Sequence, residues 1–118
     1  MKILSCIVVD DELSAIERLV KLISIIKRLK ILGTYTDPVI ALTQILMGCP
    51  EIVFLDIEMP KLNGFELKAK LENLRVNTKL IFVTGNLNNL MTLSTIKGIN
   101  YLVKPVDIDE LIECISVI

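Results

Sequence analysis

Blocks of apolar residues alternate along the chain with amphipathic stretches, and the two patterns together predict five strands and five helices. Short apolar runs rich in β-branched residues are typical of strands buried on both faces, whereas apolar residues spaced three and four apart are typical of helices. The predicted strands cover residues 3–9, 29–35, 52–55, 80–83 and 99–103. Parallel strands need a crossover segment between them, so this alternation predicts an α/β domain with one parallel sheet and helices on both faces.

Capping residues indicate where several of the helices begin and end. Asp37 followed by Pro38 is a typical start for the second helix, and Gly48 is a typical end. Asp107 with Glu110 predicts a capping box before the last helix. The first helix has acidic residues before it and basic residues after it, which matches the helix dipole.

The third helix is predicted from Phe65 to Leu74, after a turn at Asn63-Gly64, and the fourth from Asn86 to Lys97. The fourth is polar and weakly amphipathic, so we expect it to be a mobile or partner-facing element. The residues expected to face the sheet are Ile16, Leu19, Val20, Ile23 and Ile26 in the first helix, Leu42, Ile45 and Leu46 in the second, Leu67, Leu71 and Leu74 in the third, Leu87, Leu90, Met91 and Ser94 in the fourth, and Ile108, Leu111, Ile112 and Ile115 in the fifth.

Length and composition limit the classes of function. The 118 residues suffice for one domain, and although 53% are hydrophobic, no apolar run approaches the ~18 residues of a membrane span. The net charge of -1 provides no basic field, so we expect no direct nucleic-acid binding. Three widely spaced cysteines without any histidine favour free thiols in a reducing cytoplasm over a zinc site. The last helix reaches Ile118 without a capping residue, which fits either a compact stand-alone domain or a fragment of a longer chain, and we favour the fragment.

Polar residues able to handle phosphate or metal follow four of the five strands. Asp10 and Asp11 follow the first strand, Asp56 the third, Thr84 the fourth and Lys104 the fifth. In a flavodoxin-like, doubly wound (βα)5 fold with strand order 2-1-3-4-5, the first and third strands are neighbours at the topological switch point. The three carboxylates are therefore expected to share one cleft at the carboxyl edge of the sheet.

Three neighbouring carboxylates require positive charge, because two like charges about 4 Å apart repel by roughly 4 kcal/mol at an effective dielectric of about 20. Lys104 supplies one charge, and an oxygen-only ligand set with open water positions suits Mg²⁺ better than zinc or copper. A carboxylate beside Mg²⁺, a lysine and a hydroxyl is arranged to attack phosphorus, so Asp56 is the candidate nucleophile that would form an acyl phosphate. Each residue alone is also explained by an ordinary cap, turn or loop, and only their coincidence at matching strand ends favours one site.

Five short motifs, taken together, resemble the receiver domain of two-component response regulators over essentially the whole chain. The motifs are Val8-Val9-Asp10-Asp11-Glu12, Phe54-Leu55-Asp56-Ile57-Glu58-Met59-Pro60, Asn63-Gly64, Val83-Thr84-Gly85 and Tyr101-Leu102-Val103-Lys104-Pro105. The resemblance implies that Asp56 accepts a phosphoryl group from a phosphohistidine on a sensor histidine kinase. It also implies a switch that is phosphorylated on its own residue, and not an enzyme that turns over a separate substrate.

The resemblance further implies which residues hold the metal. The implied Mg²⁺ ligands are Asp10, Asp11, Asp56 and the backbone carbonyl of Glu58. Glu58 and Asn86 also occupy positions that vary among receivers and that influence how long the acyl phosphate survives.

Further roles implied by the resemblance concern the phosphoryl group itself. Thr84 is expected to hydrogen-bond it, Lys104 to pair with it, and Gly85 to leave room for it. The Lys104–Pro105 peptide bond is expected to be cis. Tyr101 is the implied switch aromatic that turns inward and reshapes the surface formed by the fourth helix, fifth strand and fifth helix, although its spacing alone fits an edge-strand aromatic equally well.

The amino-acid sequences of the motifs are most similar to those of receivers joined to a LytTR-type DNA-binding domain. This similarity implies a C-terminal output domain that acts in transcription. A homodimer is also compatible with the resemblance. Two other functions are considered. A receiver-like docking module that works without phosphorylation usually lacks one of the acids or the lysine, and all are present here. A haloacid dehalogenase-type phosphatase carries Asp-x-Asp at its first strand, whereas Asp56-Ile57-Glu58 follows the third. Dinucleotide and P-loop sites are excluded because the turn after the first strand contains no glycine.

Overall fold

Five runs of apolar residues form the strands of one parallel sheet, and the computed structural model describes all residues from 1 to 118. The strands are β1 (Leu4–Val9), β2 (Leu29–Tyr35), β3 (Ile52–Asp56), β4 (Lys79–Thr84) and β5 (Asn100–Val103). The helices are α1 (Leu13–Ile25), α2 (Pro38–Gly48), α3 (Gly64–Asn73), α4 (Leu87–Ser94) and α5 (Ile108–Ser116). The strand order β2-β1-β3-β4-β5 confirms the predicted flavodoxin-like fold.

Strand β3 lies at the centre of the sheet and is buried along its whole length. Its successive side chains point to opposite faces, as in any strand. Phe54 belongs to a core cluster with side chains of α1 and α5, whereas Leu55 belongs to a second cluster with side chains of α2, α3 and α4. Pairing with β1 and β4 satisfies the backbone of β3 on both sides. Its last residue, Asp56, is therefore held firmly at the carboxyl edge of the sheet.

Helix α3 begins one residue earlier than predicted, because Asn63 forms a capping box and not only a turn. The Asn63 side chain accepts a hydrogen bond from the Glu66 N–H at 2.9 Å, and the Glu66 carboxylate accepts one from the Asn63 N–H at 3.0 Å. Gly64 is consequently the first helical residue. The cap fixes the direction in which the chain leaves β3.

Helices α2 and α5 begin where the capping signals predicted. Asp37 accepts a hydrogen bond from the Val39 N–H at 2.8 Å, and Pro38 occupies the first helical position. Asp107 accepts one from the Glu110 N–H at 3.4 Å, but the Glu110 carboxylate does not accept the return bond. The predicted capping box at α5 is therefore only half formed.

The buried faces of four helices differ in part from the predicted ones. Helix α4 ends at Ser94, not at Lys97, and its only buried residue is Leu93, which the prediction had not placed on the sheet side. Ser94 itself is exposed. The predicted inward positions that are instead exposed are Leu46, Leu74, Leu87, Met91 and Ile112. Helix α2 has no charged residue, so its apolar pattern does not indicate which side faces the sheet.

The three cysteines are free: Cys6 is buried, Cys114 is half-buried and Cys49 is exposed. Each helix falls short of the length and apolar character that a membrane-spanning helix requires.

Candidate functional site

Four of the predicted site residues lie at the carboxyl ends of four strands that are adjacent in the sheet. Asp10 directly follows β1, Asp56 ends β3, Thr84 ends β4 and Lys104 directly follows β5. The residues immediately before Asp10 and Asp56 are paired across β1 and β3, so the two carboxylates start from adjacent positions. The sheet therefore brings the predicted residues to one edge, at the topological switch point.

The Lys104 ammonium group bridges the two buried carboxylates. Its Nζ lies 2.7 Å from Asp10 Oδ2 and 3.4 Å from Asp56 Oδ1. The Asp10 and Asp56 side chains are only 6% and 5% exposed, and the Lys104 side chain is 24% exposed. One positive charge thus faces two negative charges in a largely desolvated cleft, so the site as a whole carries an excess of negative charge.

Burial and the excess negative charge together shift the pKa values of Asp56 and Lys104. Burial, followed by the negative charge of Asp10, raises the pKa of Asp56 from 3.8 to about 7, against the opposing charge of Lys104. Burial alone would lower the pKa of Lys104, but its hydrogen bond to Asp10 and the charges of both carboxylates raise it above its ordinary value. Lys104 is therefore always charged near neutrality, whereas Asp56 needs additional positive charge to be fully ionised.

The three acids fit a divalent cation. One carboxylate oxygen from each of Asp10, Asp11 and Asp56 lies within 4.8 Å of the others. Oxygens on opposite sides of a Mg²⁺ ion are roughly 4 Å apart, because each lies about 2.0–2.1 Å from the metal. Asp11 is exposed and can adjust its rotamer, while the two buried acids are fixed. This donor set consists only of oxygen, the ligand atom that Mg²⁺ prefers.

The Glu58 side chain points away from the acid cluster and contacts α4 instead. Its Oε1 accepts a hydrogen bond from Asn89 Nδ2 at 3.0 Å. Asn86 caps α4, since its side chain accepts from the Asn89 N–H at 3.1 Å. This exposed hydrogen bond connects the β3–α3 loop with the first turn of α4.

Thr84 is buried, at 1% exposure, and its hydroxyl retains a free donor hydrogen. Its Oγ1 accepts a hydrogen bond from the Asn86 N–H at 3.1 Å, and a hydroxyl that accepts can still donate. The adjacent Gly85 has room for a Cβ beside its backbone. A Cβ there would lie 3.5 Å from the nearest atom, Lys104 Cβ, which is an ordinary van der Waals contact. Alanine would therefore fit at this position.

Tyr101 lies on the edge strand β5, where it is 38% exposed and pairs with Phe82 of β4. Its side chain is thus at the surface. The Lys104–Pro105 peptide bond is cis, which is the geometry that the resemblance implied.

Two further residues near the site were not identified from the sequence. Gly64, treated above as part of a turn, closely approaches the end of β3: a Cβ on Gly64 would lie 2.6 Å from the Asp56 carbonyl oxygen. Arg18 of α1 donates from Nη2 to the Val106 carbonyl oxygen at 3.0 Å, just beyond Lys104. The glycine in Asn63-Gly64 was a usable signal, whereas a bond between residues 88 positions apart leaves no local pattern.

Comparison with known proteins agrees with this geometry. Residues 6–116 match the family described as the response regulator receiver domain. An uncharacterised response regulatory protein of Shewanella oneidensis is 36% identical over 108 residues, which cover 92% of this chain and 45% of the relative. The sensory transduction protein LytT of Bacillus cereus is 28% identical over 113 residues, covering 96% of this chain and 46% of the relative.

Among solved structures, the receiver domain of AraT, a response regulator from Geobacillus stearothermophilus, is similar with a TM-score of 0.85. It is 23% identical, and the match covers 98% of this chain and 92% of that one. The chain belongs to the receiver domain family of two-component response regulators. It spans slightly less than half the length of the curated relatives described here.

Proposed function

We propose that this domain is the phosphoacceptor switch of a two-component system and that Asp56 receives the phosphoryl group from a sensor histidine kinase. The observation that carries the proposal is the bridged acid pair: a carboxylate at the end of a fully buried strand, facing a second buried carboxylate and an ammonium group. A cleft of about 390 Å³ opens beside these groups. A rigid nucleophile next to a fixed positive charge suits phosphoryl transfer, which depends on positioning and charge stabilisation.

In the proposed step, a carboxylate oxygen of Asp56 forms a bond to phosphorus while the P–N bond of a phosphohistidine breaks. The electron pair of that bond stays with the imidazole nitrogen, and the ring, protonated on its other nitrogen, leaves as a neutral base. Lys104 stabilises the charge on the phosphoryl oxygens, because its ammonium group is already held within 3.4 Å of Asp56.

Mg²⁺ fits the three acids, with Asp10, Asp11, Asp56 and the Glu58 carbonyl as its proposed protein ligands. When bound, it neutralises the excess carboxylate charge and charge on the phosphoryl oxygens. Asp10 also keeps an intrinsic orientation, since its Oδ1 accepts a hydrogen bond from the Glu12 N–H at 2.9 Å. That bond orients the Asp10 carboxylate before a metal ion binds.

After transfer, the Thr84 hydroxyl donates to a phosphoryl oxygen and Tyr101 turns inward behind it. Converting a mostly inactive domain to a mostly active one takes roughly 5.5 kcal/mol, and a hydrogen bond to a charged group contributes roughly 1.5–3 kcal/mol, so about two to four new bonds suffice. Helix α4 is the element that should move most, because Leu93 is its only buried residue. The result is a changed surface on α4, β5 and α5.

The partners we propose are a sensor histidine kinase and a C-terminal output domain that regulates transcription, as in a LytTR-type DNA-binding regulator. The similarity to LytT supports this choice. Exposed apolar side chains on the α4-β5-α5 surface, among them Val103 and Ile112, give an output domain or a second copy of the domain a surface to bind. The three free cysteines suit the cytoplasm, where thiols stay reduced.

Incubation with acetyl phosphate and Mg²⁺, followed by intact mass measurement, tests the proposal. The parent domain should gain one base-labile phosphoryl group, and Asp56→Asn should gain none. Asp109→Asn, which alters an exposed acid on α5, is the matched control and should be phosphorylated like the parent. A parent protein that stays unmodified, or that turns over a small phosphoester steadily, would contradict the proposed function.

A further inference from the structure

The loop from Lys104 to Asp107 carries the ammonium group of the site but has few bonds of its own. The Lys104 N–H donates to the Thr84 carbonyl at 3.0 Å, and Asp107 caps α5. Between these two points, Pro105 has no N–H to donate and is exposed. The only side chain of another element that bonds the backbone of this loop is Arg18, at the Val106 carbonyl.

Val106 is buried in the core cluster that also contains Ile16 and Leu19 of α1, so packing anchors the lower side of the loop. The cleft of about 390 Å³ lies between α1 and the loop, and it is lined by Asp10, Asp56, Lys104 and Arg18 together with apolar residues. Because this cleft is open, packing does not tie Lys104 and Pro105 to α1 across it. The Arg18 guanidinium provides the one side-chain hydrogen bond from α1 to the backbone of this loop, at the Val106 carbonyl.

We infer that Arg18 is a positioning residue for phosphoryl transfer, which holds the loop after β5 so that Lys104 stays between the two buried aspartates. This inference rests on the proposed function. Lys104 Nζ lies 2.7 Å from Asp10 Oδ2 but 3.4 Å from Asp56 Oδ1. A small outward shift of the loop therefore breaks the longer contact, with the phosphoacceptor, first. Arg18 acts through Lys104 and does not itself meet the phosphoryl group.

A double-mutant cycle distinguishes positioning from a general effect on stability or charge. The variants are Arg18→Met, which keeps much of the apolar stem and removes the donor, Lys104→Met, and the pair combined. Lys21→Met is the matched control, because it removes a positive charge one turn further along α1 without touching the loop. The measured quantity is the initial rate of phosphorylation by acetyl phosphate with Mg²⁺, followed by intact mass.

Arg18→Met should be phosphorylated roughly 10-fold to 100-fold more slowly than the parent, because small displacements of catalytic groups have effects of this size. In the Lys104→Met background, Arg18→Met should cause no further loss, since the group that it positions is gone. Lys21→Met should match the parent in both backgrounds. A second readout is the backbone amide NMR signals of Lys104 and Val106, which should shift in Arg18→Met more than in Lys21→Met.

Either of two results would overturn the inference: an Arg18→Met rate equal to that of the parent, or an equal slowing by Arg18→Met with and without Lys104. Should Arg18→Met fail to unfold cooperatively, Arg18→Gln takes its place in the same cycle. Failure of the proposed function is separate, because then the parent itself is not phosphorylated.

Discussion

The acid pair makes the stability of the metal-free domain depend on pH in an unusual direction. The folded protein holds a proton on Asp56 up to a pKa of about 7, whereas the unfolded chain releases it near 3.8. The folded state therefore binds more protons over this interval, and the stability that Asp56 contributes is greatest below pH 3.8 and falls as the pH rises through 7. At 1.36 kcal/mol per unit, the fall between pH 5 and pH 8 is roughly 2–3 kcal/mol.

Asparagine at position 56 does not titrate, so Asp56→Asn removes this dependence. The free energy of unfolding is measured by urea unfolding, followed by circular dichroism in the presence of a chelator. The value for Asp56→Asn minus the value for the parent should rise by roughly 2–3 kcal/mol from pH 5 to pH 8. Asp109→Asn should follow the parent at both pH values. Parallel profiles for Asp56→Asn and the parent would refute the account of a destabilising buried carboxylate.

Adding Mg²⁺ extends the same test. A cation that binds only the folded state stabilises it by about 2.7 kcal/mol at 100 times its dissociation constant. The parent at pH 8 should gain stability with Mg²⁺ and approach its value at low pH. Asp56→Asn should gain less, because it lacks one proposed ligand.

Two further changes test the packing around the site. Gly64→Ala should destabilise the domain by about 1–3 kcal/mol and slow phosphorylation, because its Cβ would press on the Asp56 carbonyl oxygen at 2.6 Å, whereas Gly85→Ala should be tolerated in both assays. Leu93→Ala should cost about 2–5 kcal/mol and loosen α4 in hydrogen exchange, whereas Leu87→Ala, at a residue 70% exposed, should change stability by no more than about 0.5 kcal/mol; equal effects would contradict the packing described for α4.

The strands and the acid pair could be predicted because each depends on a pattern within a few residues. Residues 52–55 are all apolar and buried, so the change to Asp56, the last residue of β3, marks the strand end to within one residue. The adjacency of Asp10 and Asp56 then follows from the strand order alone. Nothing beyond local pattern and topology was needed.

The buried faces of the helices were harder to predict. On a short helix with many apolar residues, the spacing of these residues does not show which of them face the sheet. Leu46 and Ile112 lie at helical spacing from core positions, but their side chains lie beside the buried face of the helix and are exposed. In α4, Leu93 was missed because a polar helix that buries one side chain has no stripe to detect. The contact of Arg18 with the loop after β5 depends on tertiary structure alone.

The complete burial of β3 has a consequence for how such domains diverge. Its flanks are enclosed by two separate core clusters, so the outer surfaces of the helices bear little on where Asp56 stands. Substitutions on the outer surfaces of the helices are therefore expected to leave the position of Asp56 unchanged. The surface can in this way change without disturbing the chemistry at the end of β3.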